Sequence, residues 1–355
     1  MPIHNPRNTP APLCVTGLMS GTSLDGVDIA VVRFRPEEGW AYELLAGTTL
    51  PYSPSWKERL QAALHASAGA LALLHAELGT LYGQMAADFL RQTGHRADLI
   101  ASHGHTVFHN PAARLTFQAG HPAYLAAAAG LPVVADFRTL DVALGGQGAP
   151  LVPIGDRLLF GSYDFCLNLG GFANISFERS GQRLACDTGP CNMALNELAE
   201  RAGKEFDAGG AMARSGNVLS ELLERMNAPE YFKKPLPKSL GREWYNETFR
   251  PLLAAGELSD LLRTCTEHIA MQVAAWTTPG ASVLITGGGA YNDFLIERIT
   301  ALTRAQITVP ADSLIQFKEA MVFALLGALR WRGEINCLAS VTGAARDSSG
   351  GVVIL

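Results

Sequence analysis

Residues Leu18 to Asp28 read Leu-Met-Ser-Gly-Thr-Ser-Leu-Asp-Gly-Val-Asp, set between a short apolar run, Cys14 to Thr16, and a longer one, Ile29 to Phe34. That order predicts strand, glycine turn, strand. Ser20, Gly21, Thr22 and Ser23 put small side chains and accessible amides at the turn, where successive backbone N–H groups can form a nest for an anionic oxygen. Asp25 and Asp28 set carboxylates beside that nest, a contradiction that a bound divalent cation would remove. Taken alone, a Gly-Thr-Ser turn between strands is more often a tight hairpin. The chain contains neither a G-x-x-x-x-G-K-[ST] string nor a G-x-G-x-x-G string, which removes the Walker loop and the dinucleotide fingerprint.

The complete string is far more specific than its parts. It resembles the first phosphate loop of the anhydro-N-acetylmuramic acid kinases, members of the hexokinase and actin-like ATPase superfamily. The resemblance implies ATP bound through Ser20, Gly21, Thr22, Ser23, Leu24, Asp25, Gly26, Val27 and Asp28, with Mg²⁺ held by Asp25 through water.

Composition sets the outer limits. The 355 residues exceed the roughly 250–300 at which one core stops growing, so two domains with a cleft between them are expected. A 48% hydrophobic and 17% charged composition is that of a well-packed globular protein. The formal net charge of -5 supplies no basic field for nucleic acid or anionic lipid, which leaves small-molecule chemistry. Six cysteines without a C-x-x-C pair argue against a zinc site or a disulfide framework and for reduced thiols in a cytoplasm. Met1 to Pro12 lacks the apolar core of a signal peptide and reads as a frayed tail, and no later run approaches a membrane span of about 18 apolar residues.

Further along, Ser102-His103-Gly104-His105-Thr106-Val107-Phe108-His109 follows the apolar strand Leu99 to Ala101. His103 and His105 share a face if the strand continues, which invites a zinc reading with His109 as third ligand. Gly104 breaks the strand, however, and no carboxylate lies nearby in sequence to orient the imidazoles. The string is similar to the family's Ser-His-Gly-Gln-Thr segment, with His105 in place of glutamine as a hydrogen-bond donor to ligand or backbone. Leu131 to Asp136 reads as a buried parallel strand with Phe137 and Arg138 at its carboxyl end, where ligands collect in open α/β sheets. Val-Val-Ala-Asp-Phe-Arg matches the family and implies that Asp136 and Arg138 bind the sugar. An ion pair capping the strand is the alternative. Gly145 to Pro153 has the composition of a mobile linker and sets the domain boundary, 1–148 against 149–355, with the C-terminal helix free to pack back on the first domain.

Past that boundary the opening grammar returns: strand Phe165 to Leu169, turn Gly170-Gly171, strand Asn174 to Glu178. An ordinary type I′ hairpin is the local reading. Two glycine hairpins, each opening one half of the chain, suggest a duplication, and Gly170 and Gly171 resemble the second phosphate hairpin of the actin-like superfamily. Leu184 to Cys186 delivers Asp187-Thr188-Gly189-Pro190-Cys191-Asn192, similar to the family's Asp-Thr-Gly-Pro-Gly-Asn motif, whose aspartate is the catalytic base; Cys191 replaces its second glycine. Lys238-Ser239-Leu240-Gly241-Arg242 matches another family segment. Gly287, Gly288 and Gly289, between the strand Ser282 to Thr286 and a helix, resemble the adenosine loop. Glu319, near the start of the helix ending at Arg332, favours the helix dipole on local grounds and is implied as a sugar contact by the resemblance.

These motifs run in family order from Thr16 to about Ala344. They imply an α/β chain of two actin-like (ribonuclease H-like) domains: a cytoplasmic, homodimeric kinase that opens 1,6-anhydro-N-acetylmuramic acid with water and phosphorylates O6 from Mg-ATP, with Asp187 as base. A levoglucosan kinase, a non-enzymatic actin-like nucleotide switch and a His-metal hydrolase are the alternatives.

Overall fold

The computed structural model describes residues 11–21, 24–37 and 39–355. In chain order the strands are β1 (Leu13–Ser20), β2 (Gly26–Glu37), β3 (Gly39–Pro51), β4 (Leu99–Asn110), β5 (Leu115–Ala119), β6 (Val133–Ala135), β7 (Phe165–Leu169), β8 (Phe172–Arg179), β9 (Gln182–Pro190), β10 (Ser282–Thr286), β11 (Gln306–Thr308) and β12 (Val352–Ile354). They form two sheets, ordered β12-β6-β4-β1-β2-β3 with β5 beside β4, and β11-β10-β7-β8-β9.

The same connectivity builds both. In the first sheet β1, β2 and β3 run antiparallel in sequence, while β4 pairs parallel with β1 and β6 parallel with β4. In the second, β7, β8 and β9 form the antiparallel ribbon, with β10 parallel to β7 and β11 parallel to β10. This is the expected α/β class with its order repeated, so the duplication legible in the two glycine hairpins is a duplication of topology.

Each sheet has its own core. Leu18, Ile29, Val31 and Ile100 pack with Leu78 and Tyr82 of the helix Ala68–Thr93 in the first. That helix begins where the Ser67 side chain accepts the Ala70 N–H and ends at Gly94, whose φ of 71° permits the left-handed cap. Leu167, Ile175 and Ile285 pack with Leu198, Ile269 and Leu295 in the second core. The other face of the first sheet is covered by the helix Asp312–Arg332. A Cβ on Gly17 would strike the Ala320 carbonyl, and one on Gly327 would strike the Ala101 side chain. Small residues on both sides thus let that helix lie flush on β1 and β4.

The compact units are residues up to Leu159 together with Phe317–Leu355, and Phe160–Gln316. The division therefore falls after Leu159 rather than at 148/149, and the C-terminal helix belongs mostly with the first unit. Gly145 to Pro153 is packed where a mobile linker was expected. Gly146 and Gly148 are buried, and the Gly148 N–H donates to the Asp141 carboxylate at 2.7 Å. All six cysteines are free, and no helix among the described residues is long and apolar enough to cross a membrane.

Candidate active site

The β1–β2 turn is described at Ser20, Gly21 and Leu24 to Asp28; Thr22 and Ser23 lie outside the described residues. Leu24 takes a φ of 62°, so the turn is tightened by a non-glycine residue in the left-handed region. The Ser20 hydroxyl is buried, hydrogen-bonded to Tyr52 Oη at 2.7 Å and to His105 Nδ1 at 3.1 Å, and Tyr52 is joined to Tyr82 at 2.6 Å. Its side chain therefore anchors the turn from within. Val27 is fully buried in the core, and a Cβ on Gly26 would strike the Leu50 carbonyl, so these two positions shape the turn by packing. Asp25 is exposed. Asp28 accepts from the Thr49 hydroxyl at 2.6 Å, and its carboxyl is pushed above the usual range by burial, with the Thr49 bond opposing and Asp25 reinforcing that shift.

Gly104 bends β4, with a φ of 75° and a register shift where β4 pairs with β1 between Leu18 and Ser20. The bulge sends the two imidazoles to opposite faces of the sheet. His103 stacks on Phe323 of the C-terminal helix, with ring centroids 4.7 Å apart, while His105 joins the Ser20–Tyr52–Tyr82 network. His103 Nδ1 lies 2.9 Å from the Gly104 carbonyl, and Nε2 accepts from Arg138 Nε at 2.9 Å, which fixes the neutral tautomer. Burial and the Arg138 charge hold its pKa well below the usual histidine value. The zinc reading therefore fails, and no group of three His, Cys, Asp or Glu that could hold a metal occurs among the described residues. The described side-chain partner of His105 is the Ser20 hydroxyl.

Asp136 and Arg138 follow β6 as expected, but they do not cap the strand as an ion pair. Asp136 adopts a φ of 60° and accepts from the Thr139 hydroxyl at 2.5 Å. Arg138 donates to His103 and, through Nη1, to the Gly148 carbonyl at 2.5 Å. Burial lowers its pKa to about 10, opposed by Glu319, Cys337 and Asp141. Asp141, which sequence reasoning missed, is a buried carboxylate accepting from Gly148 N, from Cys337 Sγ at 3.1 Å and from the Thr342 hydroxyl at 2.7 Å. It ties Cys337 and Thr342, near the end of the chain, to the loop that orients Arg138. Glu319 is exposed; desolvation raises its pKa, Arg138 opposes, and Asp28 adds to the rise.

In the second unit Gly170 and Gly171 form the β7–β8 turn without a positive φ at either position, which excludes a type I′ hairpin. Their carbonyls instead accept the N–H groups of Asn192 at 3.0 Å and of Cys191 at 2.8 Å, where the helix Asn192–Arg201 begins. Around Gly171 the nearest atom to an added Cβ is Met193 Cε at 3.7 Å, so nothing in the protein demands glycine there. Gly287 and Gly289 are different: a Cβ on either would collide with Leu169, and Gly287 has a φ of 83°. Beside them lies a cavity of about 330 Å³ lined by Asn192, Leu195, Asp207, Gly288, Gly289 and Tyr291.

Asp187 lies within β9, where Ala173 pairs with Gly189 and Asn174 with Asp187, leaving Thr188 as a bulge. Its Oδ2 accepts the Leu240 N–H at 2.8 Å, and its backbone carbonyl accepts the Tyr231 hydroxyl at 2.8 Å. Burial raises the carboxyl to about 6, against the lowering effect of the Leu240 N–H. A carboxylate so placed can take a proton near neutrality. Cys191 points into the core, fully buried, with its thiol pushed up to about 12 by burial. It packs, and it is neither a nucleophile nor a pocket-facing group.

The family model described as anhydro-N-acetylmuramic acid kinase matches residues 13–355. Relatives of that name are 37% identical in Gloeobacter violaceus, over 94% of this chain and 97% of theirs, and 38% identical in Xanthomonas oryzae, over 94% and 95%. Among solved structures, the chain is matched to component A of the (R)-2-hydroxyglutaryl-CoA dehydratase of Acidaminococcus fermentans, at 12% identity and TM-score 0.47 over 90% of this chain and 99% of that one. A ROK family glucokinase from Streptomyces griseus gives 13% identity and TM-score 0.39 over 89% and 99%. With the family model spanning nearly the whole chain and its relatives matched end to end, this protein belongs to the anhydro-N-acetylmuramic acid kinase family.

Proposed function

We propose that this chain phosphorylates O6 of 1,6-anhydro-N-acetylmuramic acid at the expense of ATP while water opens the anhydro ring, giving N-acetylmuramic acid 6-phosphate for cell-wall recycling. The observation that carries the mechanism is Asp187, a carboxyl raised to about 6 with one oxygen held by a backbone amide. Asp187 takes a proton from the attacking water as its oxygen bonds to C1. The C1–O6 bond breaks with its electron pair left on O6, O6 attacks the γ-phosphorus, and the bridging P–O bond breaks to release ADP. Asp187 then returns its proton to solvent.

Arg138, fixed at Nε and Nη1, offers its remaining N–H groups to the sugar, and Glu319 accepts from a sugar hydroxyl. Asp136 is the third contact carried over from the family. The cavity beside Gly288 and Gly289 suits adenosine, with the exposed ring of Tyr291 at its edge. The oxygen-only pair Asp25 and Asp28, with Asp28 raised in part by its neighbour, fits a hard cation that completes its shell from water and phosphate, which is how Mg²⁺ binds in kinases. When bound, Mg²⁺ neutralises charge on the phosphoryl oxygens. A homodimer in the cytoplasm is carried over from the family on the same terms.

Incubation with Mg-ATP and the anhydro amino sugar in ¹⁸O-water tests the whole reading. Label at C1 of a 6-phosphorylated sugar is expected. Label in the phosphate means simple ATP hydrolysis and sinks it, and faster phosphorylation of levoglucosan would replace the substrate.

A further inference from the structure

The segment 231–242 includes Lys238, the lysine of a family motif, yet Lys238 does not meet a carboxylate. Its Nζ donates to the carbonyls of Tyr231 at 3.1 Å and Phe232 at 3.3 Å, and it lies 4.7 Å over the Tyr231 ring. Lys238 also pairs as an isolated parallel bridge with Cys186, immediately before Asp187. Two residues on, the Leu240 N–H reaches Asp187 Oδ2, while the Tyr231 hydroxyl reaches the Asp187 carbonyl. No other hydrogen bond to this carboxylate is made among the described residues.

We infer that residues 231–240 are a positioning strap for Asp187, in which the Leu240 amide holds one carboxylate oxygen and so leaves the other, correctly turned, to receive the water proton. The lysine closes the strap on itself and contributes no charge to the phosphates. This inference rests on the reading of Asp187 as the base.

A backbone N–H given to the ionised carboxylate favours that form and opposes the rise caused by burial. Removing the donor raises the pKa at which the base becomes available and frees the carboxylate to rotate. Neither effect changes nucleotide contacts. The strap acts through backbone, so its signature is a shifted pH profile together with a fall in kcat at unchanged KM for ATP.

The test uses the full chain with the Leu240 amide replaced by an ester, which deletes the N–H and keeps the side chain. Rates with Mg-ATP and the anhydro amino sugar are followed from pH 5 to 9, alongside thermal unfolding. The acid limb is expected to move up by about one pH unit, on the scale of a hydrogen bond to a charged group, with KM for ATP unchanged. Lys238→Met, which loosens the strap from its carbonyl anchors, is expected to shift the limb the same way by less, and it serves if the ester chain does not fold. A folded variant that keeps the wild-type limb overturns the inference, as does a loss of thermal stability and substrate affinity with the limb unmoved. Sustained turnover in Asp187→Asn would instead remove the base reading itself, whereas an inactive Asp187→Asn beside an unmoved limb fails the strap alone.

Discussion

At the β1–β2 turn the chain sets serine, threonine and aspartate; at the corresponding β7–β8 turn it sets two glycines and no polar side chain. Both turns follow the first strand of sheets with the same connectivity, so the difference is chemical. In the first half the Ser20 side chain is drawn inward by Tyr52 and His105, while Asp25 stays at the surface and Asp28 is half-buried against Thr49. In the second half the Gly170 and Gly171 carbonyls are committed to the start of the helix Asn192–Arg201. The proposed base, Asp187, is carried on β9, the third strand of the same ribbon. The duplicated frame supplies two turns, and what each turn can bind is set by the partners that claim its carbonyls and side chains.

The largest effect should fall on the second half. Asp187→Asn is expected to lower kcat by about 10²- to 10⁴-fold with substrate binding retained, measured at saturating Mg-ATP and sugar; activity within a few-fold of wild type would move the base elsewhere. The same substitution should stabilise the fold. A carboxyl raised to about 6 in the native state is protonated there while the unfolded chain, near pKa 4, is already ionised. Stability is therefore lost as pH rises from about 4 through 6, and the cost is full above that. Asn does not ionise, so Asp187→Asn should gain about 1–3 kcal/mol at pH 8 and little at pH 4, read by denaturant unfolding at both.

The wild-type enzyme follows from the same group. Its kcat should fall below about pH 6, approaching tenfold per unit, and a rate that is flat to pH 4.5 would contradict the role of Asp187.

In the first half the expected losses concern metal use. Asp25→Ala, at an exposed position, should raise the Mg²⁺ concentration needed for half-maximal rate by about tenfold or more, with the unfolding midpoint of the ligand-free protein unchanged. Equal destabilisation with and without Mg-ATP would make Asp25 structural.

Gly171→Ala sharpens the comparison of the two turns. No protein atom crowds the added Cβ, so stability should stay within about 0.5 kcal/mol while KM for ATP rises. An unchanged KM would separate this turn from the phosphates. The smallest functional effect is expected for Cys191→Gly, which leaves a void in the second core and costs about 1–3 kcal/mol while kcat is kept, since the buried thiol faces no substrate.

The ordered motifs made the family legible in the sequence, because each is a run of small, glycine-linked residues that few other folds require. The position of β4 was legible too. Its consequence was not: His103 and His105 look like a metal pair at spacing two, and only the bulge at Gly104, set by the pairing of β4 with β1, turns them to opposite faces. Asp141 and Tyr231 gave no sequence signal, since each acts on a residue far along the chain.

The sequence by itself determined the family, the α/β class with its repeated ribbon, and the identity of the aspartate offered as base, all of which depend on local strings and hydrophobic spacing. Tertiary structure alone decided where the first unit ends, that Cys191 is core, that Gly145 to Pro153 is packed and that the Leu240 amide holds Asp187. Those facts depend on which groups meet across long stretches of chain, and burial and hydrogen bonding of that kind, which here set both the acidity of Asp187 and the orientation of Arg138, exist only once the strands have paired.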